Sequence, residues 1–310
     1  MRNVLVTGGL GHIGSALVKK LAPDYSVTVV DNLLTQRYCS LFSFNQPVKF
    51  IEGSFKDVSL DGIDTVIHLA AITNAAGSFG CKAEIEKVNV RDTRSFIKRC
   101  KDSDVGLFVF PSSTSVYGVS ADVVFEDDDQ YLNPQSPYAE SKLAIEETIQ
   151  QRLGESCKYL ILRLGTIFGP SPGMRFHTAV NKFCYQAALG QPLTVWKDNY
   201  DKVRPYLGIN DACCAIDHFL RKGGVHEDRY RNKIYNVLTE NVKTRHIVDF
   251  LDKMVGVEIE MVDTPLLNQY SYTVSNQRLK AGGFYPKDNM LDEIFKTLKL
   301  LGWINKRRQY

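Results

Sequence analysis

The chain has 310 residues, with 38 lysines and arginines against 35 aspartates and glutamates, and a net charge of +3 is too small to indicate a nucleic-acid partner. Hydrophobic residues make up 44% and charged residues 24%, which is typical of a soluble globular protein, and the length allows one large core with a smaller lobe or two domains. No segment approaches the roughly 18 uninterrupted apolar residues of a membrane span.

The cysteines indicate a reducing compartment. Seven of them are scattered along the chain without a C-x-x-C pair, which is typical of intracellular proteins. Cys213 and Cys214 lie in an apolar helical stretch, so we interpret them as small core residues and predict no metal site. The chain enters a strand directly after its first residues without an apolar leader, so we expect a cytoplasmic protein that does not bind membranes.

The first elements of the chain are a strand, a glycine-rich turn and an amphipathic helix. The apolar residues 4–6 stop at three glycines spaced by three, Gly8, Gly11 and Gly14. Free N–H groups and the positive end of the helix dipole make such a turn suitable for a pyrophosphate. Asp31 ends a second apolar strand 20 residues after Gly11, where a dinucleotide site needs an acid for the ribose hydroxyls. A carboxylate there would repel a 2′-phosphate, so the sequence favours NAD over NADP.

The next loops carry polar residues with two interpretations each. Arg37 could soften the preference for NAD, although a solvated loop arginine is the simpler interpretation. Asp57 follows a third strand at residues 48–51 and could reach an adenine amino group, or could equally form a turn. A fourth strand at residues 66–71 ends in small residues, as a strand passing close to a cofactor requires, and we interpret its His68 as a packed residue rather than a catalyst.

The remaining elements of the first half complete an alternation of strands and helices. Residues 83–101 have apolar positions at helical spacing, and residues 107–110 form a fifth strand. This alternation predicts an α/β fold, a Rossmann-type doubly wound parallel sheet with helices on both faces. Right-handed crossovers place the carboxyl ends of all strands on one rim, and a ligand binds there.

Tyr138 and Lys142 are the strongest catalytic candidates. They are four residues apart at the start of a predicted helix, so their polar ends can converge. A phenol with an unperturbed pKa of about 10 is a poor base at neutral pH, but a neighbouring ammonium and an oxidised nicotinamide would both favour the phenolate. Tyr138 could then take the proton from a substrate hydroxyl, while a serine of the preceding strand end holds the same oxygen.

These motifs together resemble the extended short-chain dehydrogenases/reductases, in the NAD-dependent sugar epimerase/dehydratase family that includes UDP-galactose 4-epimerase. The resemblance covers essentially the whole chain. It is carried by residues 7–14, 31–33, 68–71, 89, 112–118, 138–142, 163, 168–170 and 204–211.

The resemblance implies a division of the chain and a role for individual residues. Residues 1–168 would form the NAD-binding domain, with 206–240 returning to it, and residues 169–205 and 241–310 would form a substrate-binding lobe. Tyr138 would be the acid/base, Lys142 its activator and a ribose ligand, and Ser113 the hydroxyl donor. The implied cofactor-binding residues are Gly8, Gly11, His12, Ile13, Asp31, Asn32, Asp57, Leu69, Ala70, Ala71, Asn89, Tyr138 and Lys142. The implied substrate-binding residues are Thr73, Ser113, Thr114, Thr166 and Arg204.

Several of these assignments have a plainer alternative. Asn89 resembles an asparagine that helps to hold a water near the lysine, but it could be an ordinary polar helix residue. Arg204 resembles an arginine that reaches the diphosphate of a nucleotide sugar, but it could instead pair with Asp201. Tyr270 and Tyr272 could stack on a base, although aromatic residues two apart more often share one strand face.

The sequence also departs from the family pattern. Relatives that remove water from the sugar carry Asp-Glu directly after the catalytic hydroxyl residue, and this chain has Thr114 and Ser115, which disfavour 4,6-dehydration. Thr166 stands where an asparagine is common, and Asn268 and Gln269 stand in a region where an arginine is common. One expected phosphate or nucleotide contact is therefore missing.

We predict an NAD-dependent nucleotide-sugar epimerase that acts at C4 through a transient keto sugar. The alternatives are a dehydratase, decarboxylase or ketoreductase of the same family, or a non-catalytic NAD-binding protein on the same fold. In the family, the helices at 83–101 and 138–153 form a four-helix contact between subunits, and we expect a homodimer. Both helices carry apolar residues beyond one narrow stripe, namely Ile85, Val88, Phe96, Ile97, Leu143, Ala144, Ile145 and Ile149.

Overall fold

A computed structural model describes residues 2–73, 77–118, 120, 122–222, 228–263 and 271–306. Asn268, Gln269 and Tyr270 lie outside these ranges. The strands are β1 (Asn3–Thr7), β2 (Ser26–Asp31), β3 (Lys49–Glu52), β4 (Thr65–His68), β5 (Leu107–Ser113), β6 (Val123–Val124), β7 (Lys158–Leu164), β8 (Thr166–Phe168), β9 (Leu193–Trp196), β10 (Val203–Gly208), β11 (Lys233–Val237), β12 (Glu240–Lys243), β13 (Ile259–Val262) and β14 (Thr273–Val274). The α-helices are α1 (His12–Leu21), α2 (Lys82–Ile85), α3 (Thr93–Lys101), α4 (Pro137–Arg152), α5 (Ala179–Ala188), α6 (Ile209–Lys222), α7 (Thr244–Val255), α8 (Gln277–Ala281) and α9 (Met290–Lys306).

Seven parallel strands form the central sheet, in the order β11-β7-β5-β4-β1-β2-β3. The chain runs outward from β1 to β3 on one side and then from β4 to β11 on the other. The order reverses between β1 and β4, and the carboxyl ends of these two neighbours open the crevice in which such sheets bind ligands. The predicted α/β fold with a Rossmann-type sheet is confirmed.

Both faces of the sheet are covered because neighbouring strand residues point in opposite directions. On β1, Val4 and Val6 enter a core with residues of α1 and α6, whereas Leu5 enters a second core with residues of α3 and α4. Each core is a contiguous apolar cluster, and strands buried on both faces read as apolar runs in the sequence. This packing fixes the rim on which the polar strand ends meet.

Two elements differ from the sequence prediction. β4 ends at His68 because the hydroxyl of Thr7 accepts the Ala70 N–H at 3.2 Å, which takes the chain out of the ladder. The predicted helix at 83–101 is interrupted by a π-helical segment, Glu86–Asp92, between α2 and α3. Thr93 Oγ1 donates to Val88 O at 3.1 Å, and this contact spans the widened turn. Such turns occur often at functional sites.

The C-terminal half adds smaller sheets beside the rim. β12, β10 and β8 form a three-stranded sheet, and β13 pairs with β9. A separate apolar cluster joins residues of α5, α7 and α9. β8 lies before residue 169, so this sheet draws on the chain ahead of the predicted domain boundary, and the boundaries themselves remain predictions. Within the described residues, no helix is both long and apolar enough to cross a bilayer.

The apolar residues behind the predicted dimer are mostly used inside one chain. Five of the eight side chains are buried in the monomer: Ile85, Phe96, Ile97, Ile145 and Ile149. The other three, Val88, Leu143 and Ala144, are half-buried. The helix pattern therefore reflects the core of one subunit and does not by itself support an interface.

Candidate active site

A cavity of about 1180 Å³ opens at the carboxyl rim of the central sheet and extends under the C-terminal half. Its volume exceeds the range of about 300–1,000 Å³ for typical ligand pockets, so it has room for a dinucleotide and a second molecule. Most predicted site residues line it: Gly8, Gly11, His12, Ile13, Asp31, Asn32, Leu69, Ala70, Ala71, Thr73, Ser113, Thr114, Tyr138, Lys142, Thr166 and Arg204. Asn89 and Asp57 are outside this lining.

The glycine-rich turn fits a close backbone approach. Gly8 has a φ of +67°, and a Cβ there would lie 2.8 Å from the backbone N of Ala70. A Cβ at Gly14 would overlap the Gly8 carbonyl oxygen. α1 starts after Gly11 without a side-chain cap, so the N–H groups of its first turn remain available to an anion.

Asp31 ends β2 at one end of the cavity and is held in place by the backbone. Its two carboxylate oxygens accept the N–H groups of Leu10 at 3.1 Å and Leu33 at 3.0 Å. Arg37 also lines the cavity, and the charge of Asp31 raises the pKa of Arg37 against the larger lowering by burial. Arg37 is therefore a cavity residue near the carboxylate, rather than only a solvated loop residue.

Tyr138 meets a serine whose proton is directed at it. Ser113 Oγ accepts the Ser115 N–H at 3.2 Å and the Ser115 hydroxyl at 2.9 Å. A hydroxyl has one proton and two lone pairs, so Ser113 has its proton left for the hydrogen bond that it makes with Tyr138. Burial raises the pKa of Tyr138 to about 12, while the Ser113 hydrogen bond and the charge of Arg175 lower it.

Lys142 lies one helical turn after Tyr138, as the spacing predicts, but its ammonium is directed to the strand. Its Nζ donates to Pro111 O at 2.8 Å and lies 4.5 Å from the ring centroid of Phe110 and 5.9 Å from that of Tyr138. Burial lowers the pKa of Lys142 to about 8, against the opposing charge of Glu146. Lys142 is thus a cation at neutral pH, close to the phenol without being hydrogen-bonded to it.

A buried ion pair lies behind the lysine on the same helix face. Arg163 donates to Glu146 through Nε at 3.0 Å and Nη2 at 2.7 Å, and both side chains are at most 2% exposed. Ser112 also donates to Glu146. Three consecutive β5 residues, 111–113, therefore contact three residues spaced by four on α4, and this fixes the helix against the strand end.

Asn89 does not line the cavity but holds two segments that do. Its side chain accepts the Ile72 N–H and donates to Ile72 O, both at 2.9 Å, and also donates to Ser141 Oγ at 3.2 Å. Ser141 in turn donates to Tyr138 O at 2.7 Å. The amide therefore ties the loop after β4 to the helix that carries Tyr138, which is more than an ordinary polar helix residue would do.

The C-terminal half contributes a further part of the cavity wall. Arg204 stacks on Tyr272, with 5.3 Å between the guanidinium carbon and the ring centroid, and both line the cavity. The Tyr272 hydroxyl is 3.5 Å from Thr114 Oγ1. Asp201, the alternative partner considered for Arg204, forms an ion pair with Arg245 at 3.0 Å.

Residues 169–175, which we name the strap, connect the two walls. His12 Nε2 donates to Gly169 O at 2.9 Å, Ser171 Oγ donates to His12 O at 2.8 Å, and the Gly173 N–H donates to Ser15 Oγ at 2.9 Å. Arg37 also donates to Gly173 O. The strap thus lies directly against the glycine-rich turn.

The structure also gives the positions of Asp57, His12 and His68. Asp57 is exposed and lies outside the cavity lining, and its N–H closes a turn with Ser54 O at 3.1 Å, while its contact with an adenine stays a prediction. The His12 ring is used to hold the strap. His68 is a packed strand residue, as predicted: its ring nitrogens lie 2.8 Å from Thr7 Oγ1 and 3.2 Å from Thr93 Oγ1.

We predict that Gly173→Ala loosens the strap. A Cβ at this position would overlap the carbonyl oxygens of Leu10 and Gly11, so the strap must shift away from the glycine-rich turn. We expect a loss of about 1–3 kcal/mol in unfolding free energy and weaker cofactor binding. Thermal unfolding with and without NAD measures both. Gly302→Ala is the matched control, since a Cβ there meets open space. Equal behaviour of the two variants would contradict the prediction.

The sequence model described as the NAD dependent epimerase/dehydratase family matches residues 4–237. A human dTDP-D-glucose 4,6-dehydratase is 34% identical over 323 residues, covering 96% of this chain and 89% of its own length. A trifunctional UDP-glucose 4,6-dehydratase/UDP-4-keto-6-deoxy-D-glucose 3,5-epimerase/UDP-4-keto-L-rhamnose-reductase of Arabidopsis thaliana is 28% identical over 326 residues, covering 96% of this chain. The chain spans only 47% of that relative's length.

Among solved structures, the chain is similar to a UDP-glucuronic acid 4-epimerase from Bacillus cereus, whose crystals contain UDP-glucuronic acid and NAD. The TM-score is 0.88, with 22% sequence identity and coverage of 97% of this chain and 99% of the other. At this identity the likeness shows the fold alone.

Proposed function

Since this chain belongs to the NAD-dependent epimerase/dehydratase family, and is therefore an enzyme, we propose that it epimerises a nucleotide sugar at C4 through a transient keto sugar. The residue roles given below, including those of Ser113, Tyr138, Lys142 and Arg204, are part of the same proposal.

The chemistry of the wall around Tyr138 carries the proposal. The side chains that follow the catalytic hydroxyl are Thr114 and Ser115, and Thr166 also lines the cavity. Among the described lining residues, the carboxylates are Asp31, at the end of β2, and Asp92, in the π-helical segment. Elimination of water needs an acid and a base at neighbouring carbons, and the hydroxyls of serine and threonine do not titrate in the working range. A site that can move one proton and one hydride at the same carbon supports epimerisation.

The cofactor site fits NAD on geometric grounds. The glycine cradle would be closed by any added Cβ at Gly8 or Gly14, the uncapped start of α1 accepts an anion, and Asp31 suits ribose hydroxyls. When bound, NAD supplies the acceptor and later the donor of the hydride at the sugar carbon.

In this mechanism, Tyr138 takes the proton of the sugar hydroxyl and returns it after the keto sugar has turned over. Ser113 would donate a hydrogen bond to the oxygen that exchanges this proton. Because the Ser115 hydroxyl donates to Ser113 Oγ, the proton of Ser113 is not used in that contact. The charge of Lys142 favours the phenolate. Arg204, a cation in the cavity lining, suits a diphosphate. Because the hydride that leaves the sugar carbon would return to the same carbon, the reaction would consume no cofactor.

Dehydration is the second candidate function. It is supported by the names of the curated relatives, which include the human dTDP-D-glucose 4,6-dehydratase. If the missing acid were supplied by the substrate lobe, Tyr138 would make the same first proton transfer.

Product analysis separates the two functions. The purified enzyme is incubated with UDP-, dTDP-, GDP- and CDP-sugars, and products are resolved by mass spectrometry and chromatography. Epimerisation gives an isomer of unchanged mass, with no net change in NAD, while dehydration gives a product lighter by one water. A lighter product would replace our proposal with the second candidate. No isomer of any sugar, in an enzyme that carries NAD, would reject it.

The homodimer and the cytoplasmic location also remain proposals. Sedimentation at micromolar concentration tests the first, because the chain alone has a mass of 35.0 kDa.

A further inference from the structure

His68 ends β4 and lies among aromatic rings, with 2% of its surface exposed. Four phenylalanine rings have their centroids between 4.7 and 6.4 Å from that of His68, namely Phe55, Phe96, Phe108 and Phe110. A polar ring buried among apolar rings costs free energy unless its nitrogens are hydrogen-bonded. The contacts of the two ring nitrogens therefore determine what this residue does.

The direction of each hydrogen bond around this ring follows from the groups at its two ends. A carbonyl oxygen only accepts, so the Thr93 hydroxyl gives its single proton to Val88 O at 3.1 Å. Thr93 Oγ1 must then accept from His68 Nε2 at 3.2 Å, which places the ring proton on Nε2. In the neutral ring Nδ1 is bare, and it accepts the Thr7 hydroxyl at 2.8 Å. The four groups thus form one directed chain from β1 to the π-helical segment.

This chain requires a neutral imidazole, and the surroundings of His68 provide one. Burial, and after it the charge of Lys142, lower the pKa of His68 to about 3. The neutral ring offers one donor and one acceptor, which is what the two threonine oxygens require. A protonated ring would donate at both nitrogens and would take away the acceptor of the Thr7 proton.

At one end, the chain holds the start of the loop that follows β4. Thr7 is the last residue of β1, and its oxygen accepts the Ala70 N–H at 3.2 Å. The Thr7 hydroxyl therefore bridges His68 and Ala70. A Cβ at Gly8 would lie 2.8 Å from the backbone N of Ala70, so this part of the loop lies directly against the glycine-rich turn. A shift of Ala70 would change the wall of the cofactor cavity.

At the other end, the chain holds the widened turn that carries Asn89. Val88, whose carbonyl accepts the last hydrogen bond of the chain, directly precedes Asn89. The Asn89 amide holds Ile72 through two hydrogen bonds of 2.9 Å and donates to Ser141, whose hydroxyl donates to Tyr138 O. The loop after β4 is thus held at both of its ends, and the helix turn that carries Tyr138 is tied to the same network.

We propose that His68 is a positioning residue, which couples the two ends of the loop after β4 and through them sets the cofactor wall and the helix turn of Tyr138. His68 does not line the cavity, so it acts through Thr7 and Thr93 rather than by touching a ligand. The part that concerns Tyr138 rests on the proposed function, whereas the part that concerns the cofactor wall does not.

The first test uses Thr93→Val, which keeps the shape of the side chain and leaves the Nε2–H of His68 without its acceptor. We expect NAD to bind about fivefold more weakly, which corresponds to one lost hydrogen bond. At saturating NAD and sugar, kcat should fall about tenfold because the base is displaced. Thr93→Ser keeps the hydroxyl and should restore most of both values. All measurements are made below the thermal transition of each variant.

Thr297→Val is the matched control. Thr93 and Thr297 are each 1% exposed, and each donates its hydroxyl to a carbonyl oxygen of the same helical region, which for Thr297 is Glu293 O at 2.7 Å. Thr297 belongs to α9 and lies outside the cavity lining, so NAD affinity and kcat should stay within a factor of about two. A Thr93→Val enzyme that loses thermal stability like the control, but keeps wild-type NAD affinity and kcat, would overturn the inference.

Two further measurements test the directed chain itself. Nitrogen-15 NMR of the imidazole should show a protonated Nε2 and a bare Nδ1, and a proton on Nδ1 would overturn the assignment. His68→Phe keeps a ring among the phenylalanines and breaks both hydrogen bonds, so adding Thr93→Val to it should weaken NAD binding little further. Simply additive effects would show that the residues do not act as one chain. If the wild type isomerises no sugar, the proposed function fails, and the NAD affinities alone decide this inference.

Discussion

Replacing Tyr138 with phenylalanine is expected to lower kcat by about a thousandfold at every pH, since general acid–base catalysis contributes about 10²–10⁴ in rate. The variant loses the phenol hydroxyl that Ser113 contacts and that we propose as the base. Because the ring itself is kept, the helix start and the cavity wall remain filled. NAD binding should therefore be close to that of the wild type, as measured by thermal shift or fluorescence titration.

The matched control is Tyr131→Phe. This tyrosine bonds Asp122 at 3.1 Å and does not line the cavity, so its loss should leave kcat within a factor of about two. Two outcomes would contradict the assignment of the base. One is wild-type turnover or biological activity in Tyr138→Phe, which would show that Tyr138 is not the base and would favour the alternative of a non-catalytic NAD-binding protein. The other is activity that recovers at high pH, because a missing phenol cannot be deprotonated.

The local parts of this site could be predicted from the sequence, because short-range geometry determines them. Four residues make about one helical turn, so Tyr138 and Lys142 had to share a face of α4. Glycines spaced by three after an apolar run left few alternatives to a tight turn before a helix. The place of Asp31 at the rim of the sheet followed from its position at a strand end. Each inference needs only neighbours within one supersecondary unit.

The strap and its arginine could not be predicted in this way. Gly173 contacts Ser15 across 158 positions, and Arg175 contacts Thr73 across 102 positions. No periodicity marks such a pair, since its geometry depends on how the C-terminal half packs on the sheet. Tyr272 reaches Thr114 for the same reason. The close approach of Gly173 to the glycine-rich turn is evident only once the fold is known.

Some missed residues did leave a signal in the sequence. Arg163 is a charged residue inside the apolar strand β7, and a buried charge requires a partner. Glu146 is four residues beyond Lys142 on the same helix face, so its carboxylate was a candidate partner for Arg163. Ser115, two residues after Ser113, fits the local turns that serine side chains form. Asp57 was ambiguous because a loop carboxylate forms turns as readily as it binds ligands.

The second large effect concerns Lys142→Met, which keeps the side-chain volume and removes the charge. The buried ammonium lies 5.9 Å from the Tyr138 ring, so its loss raises the pKa of the base and lowers kcat at neutral pH by roughly a hundredfold. Activity should recover in part as pH rises. The loss of the contact with Pro111 O is separated from the charge effect by measuring NAD affinity independently and assaying at saturation.

The pH range in which Lys142 acts follows from its own titration. Burial lowers the pKa of Lys142 to about 8, so the wild type has the ammonium below this pH and loses it above. The ratio of wild-type to Lys142→Met activity should therefore be largest at neutral pH and shrink above about pH 8. A Lys142→Met enzyme with wild-type activity and an unchanged pH profile would rule out the role of this lysine. A ratio that stays constant across pH 8 would show that the ammonium acts by position and not by charge.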